Sequence, residues 1–474
     1  VREMRRMILI LMTIILFTQY AFAQVADNQP MTHGQSMAVE HPEYTLGDLY
    51  RIALERSEQI KISEEDLFIA ERGKDKALSS LLPKISTFGE YMRYSEKRLS
   101  TSSLGSFPIQ PEMSSSWGFR LDQSLSLGGM EITSYQISKK GIESSKYDLY
   151  RMREDYLLNV SAAYYDVLKA MKALEIAGAN VERLTKHRDA AQTRLRVGEV
   201  TKTALLRAAA ELSGAQSEMV KAENNLNIAK AVLARVVGIS GGYDVKEAVF
   251  STQVVNSTET IESLKQTALF ERAELKSLEL QRKIAEEQVK YAKGGYWPTL
   301  SVEGVYIRMD EDPSSPFFIK ESIYGALKLN FPIFEGGLTR AEVREAEAKH
   351  RQSELNYEDL KKTISIDVET AYLDLKTQAG ILKSLEDQLT FAGDNYNAVS
   401  KQFEFGLANS IDVMDANTLL VTSERQLTDA RYNYQLSILR LKRATGTLLK
   451  TVVSQQSGAG SQESGIVSPG EKAE

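Results

Sequence analysis

Residues 117–129, WGFRLDQSLSLGG, return 208 positions later as residues 325–337, GALKLNFPIFEGG. In the first stretch Trp117, Phe119, Leu121 and Leu125 fall on one side of an extended chain, with Gly118, Arg120, Asp122 and Ser124 on the other. In the second, Leu327, Leu329, Phe331 and Ile333 oppose Ala326, Lys328, Asn330 and Pro332. Period-two alternation is the pattern of a strand. Each stretch ends in a Gly-Gly pair, and helical spacing begins directly after it. The same offset carries Tyr164 to Tyr372, Asp166 to Asp374, Gly198 to Gly406 and Gly238 to Gly446. Upstream, Leu82-Pro83 returns as Trp297-Pro298, Gly89 as Gly304 and Tyr91 as Tyr306, at an offset of 215. The change of offset falls between Tyr94 and Trp117, where a hairpin loop tolerates a length difference. The chain is one structural unit written twice.

Proline placement sets the length of the helices. None occurs between Pro111 and Pro298 or between Pro332 and Pro469, and an interior proline costs a helix about 3 kcal/mol. The run from Gly129 to Val197 therefore predicts a helix about 100 Å long at 1.5 Å per residue. Leu174, Ala177, Val181, Leu184, Arg188, Ala191 and Leu195 form a heptad-like seam along it, and Leu382, Leu385, Leu389, Ala392, Tyr396, Val399 and Phe403 form its counterpart. The return helices keep the spacing of three and four, from Leu205 to Val236 and from Val413 to Ala444. Small and apolar residues so placed let an antiparallel neighbour approach closely. Gly198 and Gly406 fit left-handed helix ends, where a Cβ is disfavoured. Asn409 is placed as the N-cap of the second return helix, with Asp412 three positions on.

The organisation read from these signals is as follows. Residues 1–23 carry a basic start (Arg2, Arg5, Arg6), an apolar stretch and Ala21-Phe22-Ala23, the pattern of an export signal. Residues 24–44 form a polar, irregular segment, which an outer-membrane reading would place in the periplasm. Repeat 1 spans 45–238, with a helix, strands at about 84–97 and 115–127, and a helical hairpin turning at 198. An equatorial linker, 239–259, has room for a short strand. Repeat 2 spans 260–446, with a helix, strands at about 299–311 and 322–334, and a hairpin turning at 406. A tail, 447–474, rich in Ser, Gly, Gln and Glu, is read as disordered.

No cysteine is present, so an exported chain of this kind holds together by packing and assembly. The mean hydropathy of −0.29 and the lack of a later long apolar run argue against membrane-spanning helices. The net charge of −6 is spread over helices of mixed sign and gives nucleic acid no footprint. The four histidines form no metal-binding or catalytic motif, and no phosphate loop or nucleophile motif occurs; no enzyme and no cofactor are expected. His33 and His41 with Met31 and Met37 fit a polar linker better than a metal segment. His187 and His350 sit in helical runs.

Strands of about ten residues with one apolar and one polar face fit an outer-membrane barrel, the competing form being a half-buried strand in a soluble sandwich. Four strands cannot close a barrel, and an open edge in lipid leaves backbone groups unpaired. Copies of the chain must then pool their strands. Two copies give eight and three give twelve, a choice the pattern alone leaves open.

The ordered set of these pieces resembles the TolC-type outer-membrane efflux family from Thr45 to Leu449. The residues carrying the resemblance are Leu82-Pro83, Trp297-Pro298, the segment from Phe331 to Gly337, the segment from Phe405 to Ala416, and Arg431-Tyr432-Asn433-Tyr434. The resemblance implies a mainly α fold with a membrane β-barrel. Its form is a homotrimer whose twelve-stranded barrel lies in outer-membrane lipid and continues as a helical periplasmic tunnel. It also implies a periplasmic adaptor and an inner-membrane pump as partners, in tripartite efflux or type I secretion. Asp412 and Asp415 match acidic positions at the tunnel entrance, where a trimer makes rings of carboxylates. Helix capping is the plainer role for Asp412. Val197, Gly198, Glu199, Gly406 and Leu407 are the expected adaptor contacts. The first-copy equivalent of Asp412 is Ala204, and the family's tyrosine and arginine at the closed tip are here Phe403 and Ala408. Packing of Phe403 and Phe405 is the expected substitute for that polar closure. The alternative in a different class is a surface-exposed, adhesin-like structural trimer with no transport role. It would place strands at one chain end and would conduct no ions.

Overall fold

The computed structural model describes residues 42–102, 105–247, 260–315 and 318–454. The export signal, residues 24–41 with His33 and His41, linker residues 248–259 and tail residues 455–474 lie outside the described residues.

Repeat 1 opens with β1 (Glu43–Tyr44), α1 (Leu46–Arg56) and α2 (Glu58–Ser79). Four strands follow: β2 (Lys84–Arg93), β3 (Arg98–Ser102), β4 (Gly105–Gln110) and β5 (Met113–Ser126). The helical hairpin is α3 (Met130–Arg196) and α4 (Lys202–Val237), and β6 (Asp244–Val245) closes the copy by pairing in parallel with β1. Repeat 2 runs α5 (Ile261–Glu271), α6 (Ala273–Gly294), β7 (Thr299–Asp312), β8 (Glu321–Asn330), α7 (Leu338–Glu404) and α8 (Ser410–Ala444). The two long helices have 67 residues each, which corresponds to about 100 Å.

The main sheet has the order β2-β5-β7-β8, antiparallel throughout, with β2 and β8 at its edges. Its central ladder joins the two copies, pairing Trp117 with Arg308 and Leu125 with Leu300. One face carries exposed apolar side chains from each strand, including Ile85, Phe119, Val302 and Leu327. Trp117 meets Tyr306 edge to face at 5.9 Å, the arrangement aromatic quadrupoles prefer. Where the sheet gives way to helices, a Cβ on Gly128 would stand 2.6 Å from the backbone of Gly294. The end of α6 crosses the β5–α3 junction at a contact that needs glycine on both sides.

Below the sheet, α3 packs against α2, α4, α6 and α8, and α7 packs against α5, α6 and α8. The principal core gathers Leu49, Leu157, Tyr164, Val167, Leu233 and Leu448, all essentially inaccessible. Each such aliphatic side chain contributes about 1.5–3 kcal/mol relative to exposure. Buried hydroxyls find partners there: Tyr50 with Ser161 at 2.6 Å, and Tyr164 donating to the Lys246 carbonyl at 2.8 Å. The second copy has a smaller equivalent built on Leu264, Leu275, Ile364 and Val368. A third cluster, Leu184, Leu212 and Ala215, lies within the α3–α4 hairpin.

Five expectations change, the first being that the opening strand of repeat 1 ends at Arg93 rather than 97. Between β2 and β5 the chain forms an extra two-stranded ribbon, β3–β4, where a loop was predicted. Pro108 pairs with Leu99 within it, and proline is tolerated in edge strands of this kind. The last strand ends at Asn330 rather than 334, because Pro332 cannot donate to the ladder; Ile333 and Phe334 stand exposed. The single helix expected before each pair of strands is broken in two, at Ser57 and Arg272, both with ψ of 123°. The tail does not become irregular at 447. Residues 448–454 are helical, and Leu448 and Val452 are buried in the main core.

Candidate functional site at the helical tip

The tip is made by the two turns of the helical hairpins. At the first, Gly198 takes φ of 81° and the Glu199 N–H donates to the Arg194 carbonyl at 2.9 Å. At the second, Gly406 takes φ of 75° and the Leu407 N–H donates to the Gln402 carbonyl at 2.8 Å. These are left-handed helix ends that return the last carbonyls to backbone donors. Val197, Phe405 and Leu407 are 68%, 77% and 80% exposed, an apolar crown where the two hairpins turn.

The return helices start differently. Thr201 caps α4 through its side chain, accepting from Ala204 N–H at 3.4 Å. Asn409 caps α8 with a full capping box: its Oδ1 accepts from Ile411 and Asp412, while Asp412 accepts the Asn409 N–H at 3.0 Å. Asp412 is thus engaged in capping, as its plainer role supposed, and remains exposed. Asp415 is also exposed, one turn further on and clear of the cap.

Phe403 and Phe405 part company. Phe403 is buried, whereas Phe405 points outward. The Phe403 ring lies between His187, at 4.9 Å between centroids, and the Arg194 guanidinium, 4.4 Å from its centroid. Arg194 also donates to the carbonyls of Phe403 and Glu404. The Phe403 carbonyl also accepts the Gly406 N–H at 3.0 Å, so Arg194 adds a side-chain donor to a turn that the backbone already closes. His187 Nε2 is 2.8 Å from Ser410 Oγ at the first turn of α8. Burial, and then the nearby Arg194 charge, hold the His187 pKa below its ordinary value. A cleft of about 550 Å³ opens between the two turns, lined by Arg194, Glu199, Thr201, Phe403, Phe405 and Asn409 among others.

Further up, polar contacts between α3 and α8 continue. Arg183 donates to Asn417 at 3.1 Å and to Glu424 at 3.1 Å, Asn417 donates to Asn180 at 2.8 Å, and Lys169 donates to Asn433 at 2.8 Å. The sequence did not single out Arg194, Ser410 or this ladder. Their partners lie more than 200 residues away, and the only local cue was a basic residue in the last turn of α3. Among the described residues there is no cluster of metal-ligating side chains and no helix long and apolar enough to cross a membrane.

A family model described as outer membrane efflux protein matches residues 49–239 and 264–447, one match to each copy. The outer membrane protein TolC of Vibrio cholerae serotype O1 is 25% identical over 417 residues, covering 85% of this chain and 91% of the relative. The alkaline protease secretion protein AprF of Pseudomonas aeruginosa is 22% identical over 422 residues, with 85% of each chain covered. Among solved structures, that of CusC superposes with a TM-score of 0.75 at 17% identity, covering 89% of this chain and 99% of that one.

Proposed function

The chain belongs to the outer membrane efflux protein family, and from that membership we propose that three copies close one duct across the outer membrane and periplasm. The family places it among outer-membrane channels, which are not enzymes. The observation that carries the reading further is a four-stranded sheet with open edges at β2 and β8, fused to two 67-residue helices. An apolar sheet face suits lipid, but its unpaired edges do not. Joining β8 of one copy to β2 of the next is a head-to-tail contact that closes as a ring. Three copies supply twelve strands, enough for a lumen.

The helices support the same closure. On α7, Leu355, Ile366, Leu373 and Phe391 are exposed, at spacings that align them along one face. On α4, Leu206, Val220, Ile228 and Val232 are exposed as well. These stripes suit burial against neighbouring copies, continuing the barrel as a helical tunnel.

In such a trimer Asp412 and Asp415 form carboxylate rings at the entrance, favouring cations. Asp415 is free of the cap, whereas Asp412 holds one oxygen on the Asn409 N–H, so Asp415 is expected to contribute more. Val197, Gly198, Glu199, Gly406 and Leu407 offer the adaptor its contact, and an inner-membrane pump behind the adaptor selects the cargo. Nothing supports the adhesin-like alternative, since the strands sit between helices in both copies. Reconstitution of the purified protein into planar bilayers tests the proposal. Discrete conductance steps with cation preference are expected, and a bilayer that stays silent overturns it.

A further inference from the structure

We propose that Arg194, His187 and Ser410 form a latch that clamps the end of α7 onto α3 within each protomer, and that protonation of His187 releases it, opening the entrance in acid. The proposal rests on the duct reading and concerns its regulation.

The clamp has three parts that converge on one turn of α7. Arg194 fixes the Phe403 and Glu404 carbonyls and covers one side of the Phe403 ring. His187 packs on that ring and reaches Ser410 across the turn. The hairpin α7–α8 is thereby held to α3 at both sides of its own bend. These are the contacts closest to the tip in the α3–α8 ladder. Asn180–Asn417, Arg183–Glu424 and Lys169–Asn433 lie progressively further up, so the end can part while the upper ladder holds.

The second copy supplies no reciprocal device. The position equivalent to Arg194 is Gln402, and that equivalent to His187 is Asn395. The latch therefore acts on the second hairpin alone, the one that carries Asp412, Asp415 and the more exposed apolar turn.

His187 is the titratable group of the latch in the range of mild acid. Arg194, on its own helix, is the charge that acts on it. Glu199, on the turn after α3, pairs with Arg194 at 3.9 Å. At this level the neighbouring elements carry Lys401 and Glu404 at the end of α7, Asp412 on α8, and Arg207 and Glu211 on α4, and all six of these residues are exposed to solvent. A proton on the ring places a second cation beside Arg194 in a buried site, and the carboxylate paired with Arg194, that of Glu199, stands out in solvent at 3.9 Å. Because the latched state disfavours that proton, the released state binds it more readily, and falling pH shifts the population toward release.

The test compares the conductance of reconstituted channels at about pH 7.5 and about pH 5.5, either side of the ordinary histidine pKa of about 6.5. The unmodified protein is expected to open severalfold more often in acid. His187→Gln should lose most of that response, while His350→Gln keeps it. Arg194→Ala should conduct more at neutral pH, with Arg194→Lys restoring part of the closure. Since the chain has no cysteine, spin labels at Val197→Cys and Leu407→Cys report the separation of the two turns directly, and it should widen in acid. Conducting channels whose acid response survives His187→Gln, or whose turns keep one separation at both pH values, overturn the latch and leave the duct intact. Absence of conductance in every version overturns the duct and the latch together.

Discussion

The two hairpin tips follow the same backbone path with different chemistry. Both long helices stop at a glycine of positive φ, and both return helices start from a side-chain cap. Around that shared frame the side chains diverge. Phe403 replaces Leu195, Asp412 replaces Ala204, Asn409 replaces Thr201, and Arg194 and His187 have only Gln402 and Asn395 as counterparts. Duplication preserved what the backbone needs. The distinct roles arose at positions the backbone leaves unconstrained, so that one copy clamps and the other is clamped.

The strongest way to break this comparison is Phe403→Ala. Truncating a buried phenylalanine costs about 3–5 kcal/mol, whereas Leu195→Ala, at a half-buried site, should cost roughly 1–2 kcal/mol. Thermal melts of the detergent-solubilised variants measure the difference. Equal losses would mean that the two tips are packed alike.

A second contrast lies at the level of the main core. Glu154 of the first copy is fully buried, while its counterpart, Lys362, is exposed. Burial pushes the Glu154 pKa up to about 7 from 4.5, against the pull of Arg443 and the Leu449 N–H. A raised carboxyl stabilises the fold fully below about 4.5 and loses that contribution as pH rises through about 7. Glu274, beside it, shows the reverse. Burial works to raise its pKa, but Arg443 and Arg272 hold it down to about 2. Its contribution is present above about 4.5 and is lost only as pH falls through about 2. Melting temperature followed from about pH 5 to about pH 8 should therefore decline more steeply in the unmodified protein than in Glu154→Gln. The difference is on the order of 3 kcal/mol at the upper end. Lys362→Gln should leave the slope as it was.

Smaller effects sharpen the comparison at the caps. Asn409→Ala should cost about 1 kcal/mol, and more than Thr201→Ala, because Asp412 completes the box only in the second copy. Amide-exchange protection in the first turns of α8 and α4 reports both, and a larger loss at Thr201 would contradict the ordering. Least in energy but direct in function, Asp415→Asn should move the zero-current potential under a salt gradient further than Asp412→Asn does. An identical shift for both would show that capping does not mute the Asp412 charge.

Much of the frame was legible in the sequence because its determinants are local. The glycines at 129, 198, 337 and 406 bound both helices to within two residues, and the seam of α8 is buried almost position for position. The β3–β4 ribbon, with Pro108 inside it, fell in a stretch read only as a loop that tolerates length change. The breaks at Ser57 and Arg272 had no glycine or proline to announce them. Residues 448–454 looked like the start of a polar tail, since Leu448 and Val452 show their worth only when α3 supplies the surface they bury. The tip was half visible. The spacing from Asn409 placed Asp412 at the cap, and Phe403 was reached through the family resemblance, but Arg194 and Ser410 act across 200 residues of intervening chain. No local pattern encodes such a pairing.

The central claim is that one copy leaves its sheet unfinished and that a ring of copies completes it. Native mass spectrometry of the detergent-extracted protein tests this most directly. The account predicts a single species of three chains that persists on dilution; a stable single chain, folded and soluble without detergent, would contradict it.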